Sequence, residues 1–190
     1  MKKIILLSLM SLLNLILFSQ NIEPAPNDKS VVYFTRANTV GALINFTYFD
    51  GEKVIGKFNG PKYIRYECIP GEHLFWARSE NKSFIEANLE AGKIYIIDVV
   101  PKMGAIKASV SLVPVNSKKY KLKQIQKLLS KRDSETFNES QLNELQVEMN
   151  EIIIRGMEKY NQLKGKEREI LQLTPEMTVS EEDLIFTKKA

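Results

Sequence analysis

From residue 31 to residue 115 the chain is rich in β-branched and aromatic residues, and apolar and polar positions alternate in several of its stretches. Successive side chains on a strand point to opposite faces, so Ile64, Tyr66 and Cys68 fall on one face and the polar residues between them on the other. The same alternation marks two later strands, through Ile85, Ala87 and Leu89 and through Ile106, Ala108, Val110 and Leu112. The pattern predicts eight strands, at 31–36, 43–49, 53–58, 62–68, 73–79, 84–90, 93–100 and 106–113.

Gly-containing turns separate these strands at the spacing of a β-sandwich or barrel. The first two turns, Asp50-Gly51 and Asn59-Gly60, supply residues that accept a positive φ, which favours tight hairpins. The second, third and fourth strands are therefore predicted to form a meander. In the third turn, Pro fixes φ and Gly accepts the left-handed position. The three turns are Asp50-Gly51, Asn59-Gly60 and Pro70-Gly71.

After Asn116 the spacing of the apolar residues becomes helical. Two helices are predicted, at 118–132 and at 136–163, with Thr136 and Glu139 forming a capping box at the start of the second. The apolar stripe of the second helix consists of Leu142, Leu145, Met149, Ile152, Gly156, Tyr160 and Leu163.

The two helical segments carry opposite charges. Residues 118–132 hold seven Lys or Arg and no acid, whereas residues 133–151 hold six acids and no base. The short connection between them predicts an antiparallel helical hairpin in which the basic segment lies against the acidic one. Residues 174–190 are predicted to form a loose C-terminal tail.

Short motifs in the strand region resemble those of a known family. They are Asp50-Gly51, Ile55-Gly56, Asn59-Gly60 and Tyr63, then Pro70-Gly71-Glu72-His73, then Leu89-Glu90-Ala91-Gly92-Lys93-Ile94-Tyr95. Over about residues 30–115 the chain resembles the bacterial envelope family known as domain of unknown function 2846 and, more loosely, PEGA-type surface domains. The resemblance implies an immunoglobulin-like or PEGA-like antiparallel β-sandwich in an exported protein. It implies no catalytic residue at any position.

Residues 1–20 have the pattern of a secretory signal peptide. Lys2 and Lys3 form its charged start, and its apolar stretch is shorter than the roughly 20 residues that span a bilayer. An uncleaved anchor helix is the alternative. The ending Leu-Phe-Ser-Gln resembles signal peptides of Bacteroidota. The signal peptide predicts a periplasmic or secreted protein. A lipoprotein would need a Cys at the end of the apolar stretch to carry the lipid, and the single Cys, Cys68, lies far from it, so the protein is not expected to be a lipoprotein.

These segments divide the chain into five parts. They are a signal peptide at 1–20, a linker at 21–30, a β-sandwich domain at 31–115, a helical extension at 116–173 and the tail at 174–190. The fold class predicted is mostly β with an α extension. Since the alternating strands describe a complete sandwich, residues 31–115 are expected to fold without the helices.

Composition argues against several function classes. The 190 residues include one Cys and one His, so neither an internal disulfide nor a histidine metal site is expected. No catalytic residue, metal or cofactor is predicted, and the protein is not expected to be an enzyme. Lys2 and Lys3 carry two of the four net positive charges, so the mature chain is nearly neutral and nucleic-acid binding is not expected.

Three polar side chains are the strongest candidates for individual chemistry. His73 follows a turn and could be oriented by Glu72 as a base, but a structural histidine at a strand edge is favoured. Cys68 shares a face with apolar residues and is expected to be a small core residue rather than a reactive thiol. Asp98 interrupts an apolar stretch, and the favoured interpretation is a side chain that reaches solvent or a backbone amide.

Aromatic residues on the predicted strands suggest a ligand face. Tyr48, Tyr63 and Trp76 are the candidates, because exposed rings on a sandwich can stack on sugars; packing in the core is the alternative.

The function expected is that of an exported, non-enzymatic binding or structural module of the bacterial cell envelope. The alternative is a carbohydrate- or peptidoglycan-associated module that uses the aromatic face. The expected partner is an envelope protein or a glycan, and the basic helix at 118–132 could also contact a membrane surface.

Overall fold

Two stacked β-sheets form the centre of the computed structural model, which describes residues 22–103, 108–116, 120, 122–166 and 170–187. The predicted signal peptide at 1–20 lies outside these residues. The strands are β1 Ser30–Arg36, β2 Phe46–Asp50, β3 Lys53–Phe58, β4 Lys62–Cys68, β5 Gly71–Arg78, β6 Lys82–Leu89, β7 Lys93–Met103, β8 Ala108–Pro114 and β9 Leu171–Leu173. The helices are α1 Lys123–Leu129, α2 Glu139–Lys164 and α3 Glu181–Leu184, with a 3-10 turn at Pro175–Met177.

Both sheets are mixed. The four-stranded sheet has the order β4-β1-β7-β8, and the five-stranded sheet has the order β3-β2-β5-β6-β9. The pairs β1–β7 and β6–β9 are parallel, and the other neighbours are antiparallel. The predicted mostly β fold with a C-terminal helical part is confirmed, but the prediction of purely antiparallel pairing is wrong.

The predicted meander ends at β3. Asp50 and Gly51 do join β2 and β3 in a hairpin, with Gly51 at φ 55°. Asn59 and Gly60 also form a turn, with Gly60 at φ 69°, but β3 lies at the edge of the five-stranded sheet while β4 pairs with β1 in the other sheet. A residue with positive φ reverses the chain equally well within one sheet and between two sheets, so the turn sequence alone does not decide the pairing.

The core between the sheets contains the faces that the alternation predicts to be buried. Ile64 and Cys68 of β4 pack there with Ile85, Ala87 and Leu89 of β6. Val110 and Leu112 of β8 belong to the same cluster, whereas Ile106 lies outside the described residues. Aromatic rings supply much of its volume, through Phe34, Phe46, Tyr48, Phe58, Phe75 and Tyr95.

Helix α2 covers the outer face of the five-stranded sheet. Its predicted apolar stripe is largely confirmed, since Met149 and Gly156 are buried and Leu145, Ile152, Tyr160 and Leu163 pack against the cluster that contains Trp76 and Phe49. Ile153, which the stripe did not include, is also buried there. Gly156 lies close against Trp76, because a Cβ placed there would lie 2.6 Å from the Trp76 ring. The helix begins two residues later than its predicted cap position, at a capping box made by Asn138 and Gln141 rather than by Thr136 and Glu139.

Helix α1 and the C-terminal residues cover the outer face of the four-stranded sheet. Ile125 and Leu129 of α1 pack there with Val179 and Leu184, over Val31, Tyr33, Ile94 and Ile96. Residues 174–187 are therefore not the loose tail that the sequence predicts. Strand β7 is covered on both faces, because Ile94 and Ile96 face α1 while Tyr95, Ile97 and Val99 face the core.

The two long helical segments do not form the predicted hairpin. They pack on opposite sides of the sandwich, and the segment 130–138 connects them around its edge. There the Glu135 amide donates to the Tyr63 carbonyl at 2.8 Å, and the Phe137 ring lies against Gly56, which leaves no room for a Cβ. Each helix has an apolar sheet face to cover, and burial of that face outweighs exposed charge pairs worth about 0 to 1 kcal/mol each.

We expect Gly156→Ala to lower the free energy of unfolding by about 1 to 3 kcal/mol, because the new methyl group meets a Trp76 ring stacked on Phe49 at 3.7 Å. Helix propensity alone predicts the opposite sign, a gain of about 1 kcal/mol. Urea denaturation measures the difference. The matched control is Gly165→Ala, where φ is −65° and the nearest atom lies at 3.4 Å, and there we expect no loss and a gain of up to about 1 kcal/mol. A stabilised Gly156→Ala protein would contradict the packing described.

Candidate functional site

The three aromatic residues expected to form a ligand face lie in three different places, Tyr48 and Trp76 buried and Tyr63 partly buried. Tyr48 lies in the core between the sheets, stacked on Phe58 at 4.6 Å. Trp76 lies under α2 and donates from Nε1 to the Gly51 carbonyl at 2.7 Å. Tyr63 packs on the outer face of the four-stranded sheet. The rings do not converge, and Tyr48 and Trp76 are 0% exposed, so the aromatic face is not formed.

His73 is held as a charged structural residue. Its Nδ1 lies 2.8 Å from the Asp50 carboxylate and its Nε2 lies 2.8 Å from the Ile69 carbonyl. Both neighbours are acceptors, so both ring nitrogens donate, and the bond to Asp50 raises the pKa of His73 to about 10. Tyr66 also donates to the Asp50 carboxylate, at 3.1 Å, whereas Glu72 is exposed. The arrangement holds a proton tightly and leaves no basic nitrogen for catalysis.

Cys68 and Asp98 are also occupied by structural contacts. The Cys68 thiol is buried and lies 3.8 Å from the Ser30 carbonyl oxygen. Asp98 accepts hydrogen bonds from Thr35, at 3.4 Å, and from Tyr120, and burial raises the pKa of its carboxyl group. The sequence could not supply these partners, because Tyr120 lies 22 positions further along the chain.

Glu86 is the centre of a polar cluster that sequence reasoning missed. Its carboxylate accepts from Tyr160 at 2.5 Å, Lys164 at 2.8 Å and Gln172 at 2.7 Å. Hydrogen bonds from Lys164, Tyr160 and Gln172 lower the pKa of Glu86 to about 2. The cluster links the end of α2 and β9 to β6, so the Glu86 carboxylate is used in hydrogen bonds that stabilise the fold.

Arg36 holds the loop at 37–45 in place. The side chain is buried, and its guanidinium donates to the Ile44 and Gly41 carbonyls, both at 2.6 Å, while lying 4.1 Å from the centre of the Phe46 ring. No carboxylate among the described residues pairs with it. The loop therefore has a fixed position beside the start of α1.

A basic cleft lies between this loop and α1. Its volume is about 440 Å³, and it contains three cationic side chains and no carboxylate. It is lined by Ala37, Asn38, Thr39, Pro61, Gln124, Lys127, Leu128, Lys131 and Arg132. A second cleft of about 560 Å³ shares Ala37, Asn38 and Gln124 with it and is also lined by Asp98, Tyr120 and Lys123.

The amphipathic character of α1 creates the charge in this cleft. Ile125, Leu128 and Leu129 are buried, which turns Lys123 and Lys127 outward. Among the described residues, no salt bridge includes Lys123, Lys127, Lys131 or Arg132. The signal for this site was visible in the sequence as a basic stretch without acids. Lys118, Lys119 and Lys121 of that stretch lie outside the described residues.

Comparisons with known proteins provide no further assignment, since no family model, no curated protein and no solved structure matches the chain. Across the described ranges, no cluster of three or more His, Cys, Asp or Glu side chains could hold a metal ion. None of the helices in those ranges is both long enough and apolar enough to span a membrane.

We expect His73 to make stability depend on pH in the alkaline range. Its pKa in the folded protein, about 10, exceeds the value of about 6.5 expected in the unfolded chain. Its stabilising contribution is therefore complete below about pH 6.5 and is lost as the pH rises towards about 10. The expected fall in unfolding free energy is about 1.5 to 3 kcal/mol, the usual contribution of a hydrogen bond to a charged group.

Urea denaturation at several pH values in this range, on the wild type and on His73→Gln, isolates this contribution from other groups that titrate there. The variant should be less stable at neutral pH and should show a smaller loss on going alkaline. An equal loss in both proteins would show that the ring is not the titrating group.

Proposed function

We propose that this protein is an exported, non-enzymatic binding module of the bacterial cell envelope, and that its site is the basic cleft between α1 and the loop at 37–45. The observation that carries the proposal is the acid-free lining, with Lys127, Lys131 and Arg132 on one wall. Cations collected in a concave surface attract anionic groups and raise their local concentration. The ligand class proposed is therefore an anionic group, such as a phosphate.

The geometry of the cleft favours binding over catalysis. Its walls combine long cationic side chains with the amide side chains of Asn38 and Gln124, which are donors suited to anionic oxygens. The candidate acid–base groups elsewhere are already engaged in hydrogen bonds within the fold. Both ring nitrogens of His73 donate to acceptors, and the Glu86 carboxylate accepts from three side chains.

Export is supported by the pattern of residues 1–20, and an envelope role by the resemblance to domain of unknown function 2846 and to PEGA-type domains. An immunoglobulin-like or PEGA-like classification of the sandwich is part of this proposal. A periplasmic or secreted location follows from it. The alternative glycan-binding role has no aromatic surface to support it, since Tyr48 and Trp76 are buried.

We expect the mature protein to bind inorganic pyrophosphate at low ionic strength, and Lys127→Glu/Lys131→Glu to weaken that binding about tenfold or more, because each reversal replaces an attraction with a repulsion. Isothermal titration calorimetry measures the affinity.

The matched control is Lys159→Glu/Lys166→Glu, which makes the same change in net charge at exposed positions on the far side of the sandwich. This control should bind as the wild type does. No binding by the wild type, or an equal loss in both double variants, would overturn the proposal.

A further inference from the structure

Exposed apolar side chains stand beside the basic cleft. Leu43 is 90% exposed and Val40 is 44% exposed, and both belong to the turn at 40–43. Thr39, which directly precedes this turn, lines the cleft. The turn also lies close to Gly60, which precedes the cleft residue Pro61. A Cβ placed on Gly60 would lie 3.7 Å from the Ala42 carbonyl oxygen. The apolar turn and the cationic wall are thus parts of one surface.

The turn is held rigidly in spite of its exposure. The buried Arg36 guanidinium binds the carbonyls of Gly41 and Ile44, one on each side of Leu43. The Ile44 amide donates to the Gly41 carbonyl at 2.9 Å, and the Val40 amide donates to the Asn38 side chain at 2.8 Å. The turn therefore loses little conformational entropy when it binds a partner, and Leu43 is already held in an exposed position.

From this juxtaposition we infer that the turn at 40–43 and the basic cleft form a docking face for an anionic lipid surface. This inference rests on the proposed function and names the source of the anionic group as the phosphate of a membrane lipid. Leu43 and Val40 enter the boundary between headgroups and acyl chains, while Lys123, Lys127, Lys131 and Arg132 contact the headgroups. A free anion in the cleft would make no use of an exposed leucine, whereas a lipid surface uses both features.

The charge distribution of the molecule sets the direction of docking. The basic residues of α1 lie over the four-stranded sheet, on the same side of the sandwich as the acids Glu181, Glu182 and Asp183 of α3. Glu144, Glu148 and Glu151 of α2 lie on the opposite side, where Glu148 and Glu151 are paired with Lys57 and Arg155. The cations of α1 and the cleft form no salt bridge among the described residues, so an anionic surface attracts them most strongly, and the molecule approaches with the cleft and the turn at 40–43 facing the lipid.

Cosedimentation with lipid vesicles tests this inference on the mature chain. Vesicles of phosphatidylglycerol mixed with phosphatidylcholine should bind the wild type at low salt, and vesicles of phosphatidylcholine alone should bind it at least about tenfold more weakly, because only the mixture supplies anionic headgroups. Leu43→Asn should weaken binding to the mixed vesicles about tenfold, since it removes one inserted apolar side chain without adding charge.

The matched control is Val147→Asn, which replaces a side chain that is 79% exposed on α2, on the far side of the sandwich. It should bind mixed vesicles as the wild type does. Leu43→Asn should also keep the wild-type affinity for inorganic pyrophosphate, which separates loss of lipid insertion from damage to the cleft.

The outcomes distinguish the two proposals. Pyrophosphate binding that depends on Lys127 and Lys131, without binding to mixed vesicles, overturns the lipid inference and leaves the anion site standing. Vesicle binding that Leu43→Asn does not weaken also overturns it. Absence of pyrophosphate binding by the wild type contradicts the proposed function itself.

Discussion

The constraint on which the structure depends is that both β-sheets are apolar on both faces. One pair of faces forms the core between the sheets, and the other pair would meet water if the sandwich ended at β8. Trp76 and Phe49 on one outer face and Ile94 and Ile96 on the other are too large and too apolar to be exposed together at low cost. Elements from the C-terminal third cover both faces, and β9 extends the five-stranded sheet through Leu173, which is part of the central core.

The same constraint produces the candidate site. Helix α1 must bury Ile125 and Leu129 against the four-stranded sheet, and this fixes the direction in which Lys127 and its basic neighbours project. Arg36, which is buried at the end of β1, positions the other wall. Its guanidinium donates hydrogen bonds to two backbone carbonyls of the loop at 37–45. The cleft thus lies between two elements that are each fixed by the sandwich, and its charge follows from how α1 packs.

Local patterns predicted local structure well and long-range pairing poorly. The eight strands β1 to β8 and the helical regions follow from alternation, turn residues and helical spacing. Three features depend on which apolar faces need to be covered, and this is a property of the whole fold. They are the sheet that the chain joins after Asn59-Gly60, the short strand β9 and the separation of α1 from α2. For the site, the basic stretch at 118–132 was visible in the sequence. Its partner loop, and the burial of Tyr48 and Trp76, required the tertiary arrangement.

The most direct test of this account is the folding of a chain that ends at Asn116, which keeps β1 to β8 and lacks every covering element from the C-terminal third. Circular dichroism during heating, with binding of an apolar dye, reports whether it folds. The account predicts an aggregated or dye-binding chain with no cooperative transition, while the full mature protein unfolds cooperatively. A soluble truncated chain with a β-type spectrum and a cooperative transition would contradict the account, and would support the autonomous sandwich that alternation in residues 31–115 predicts.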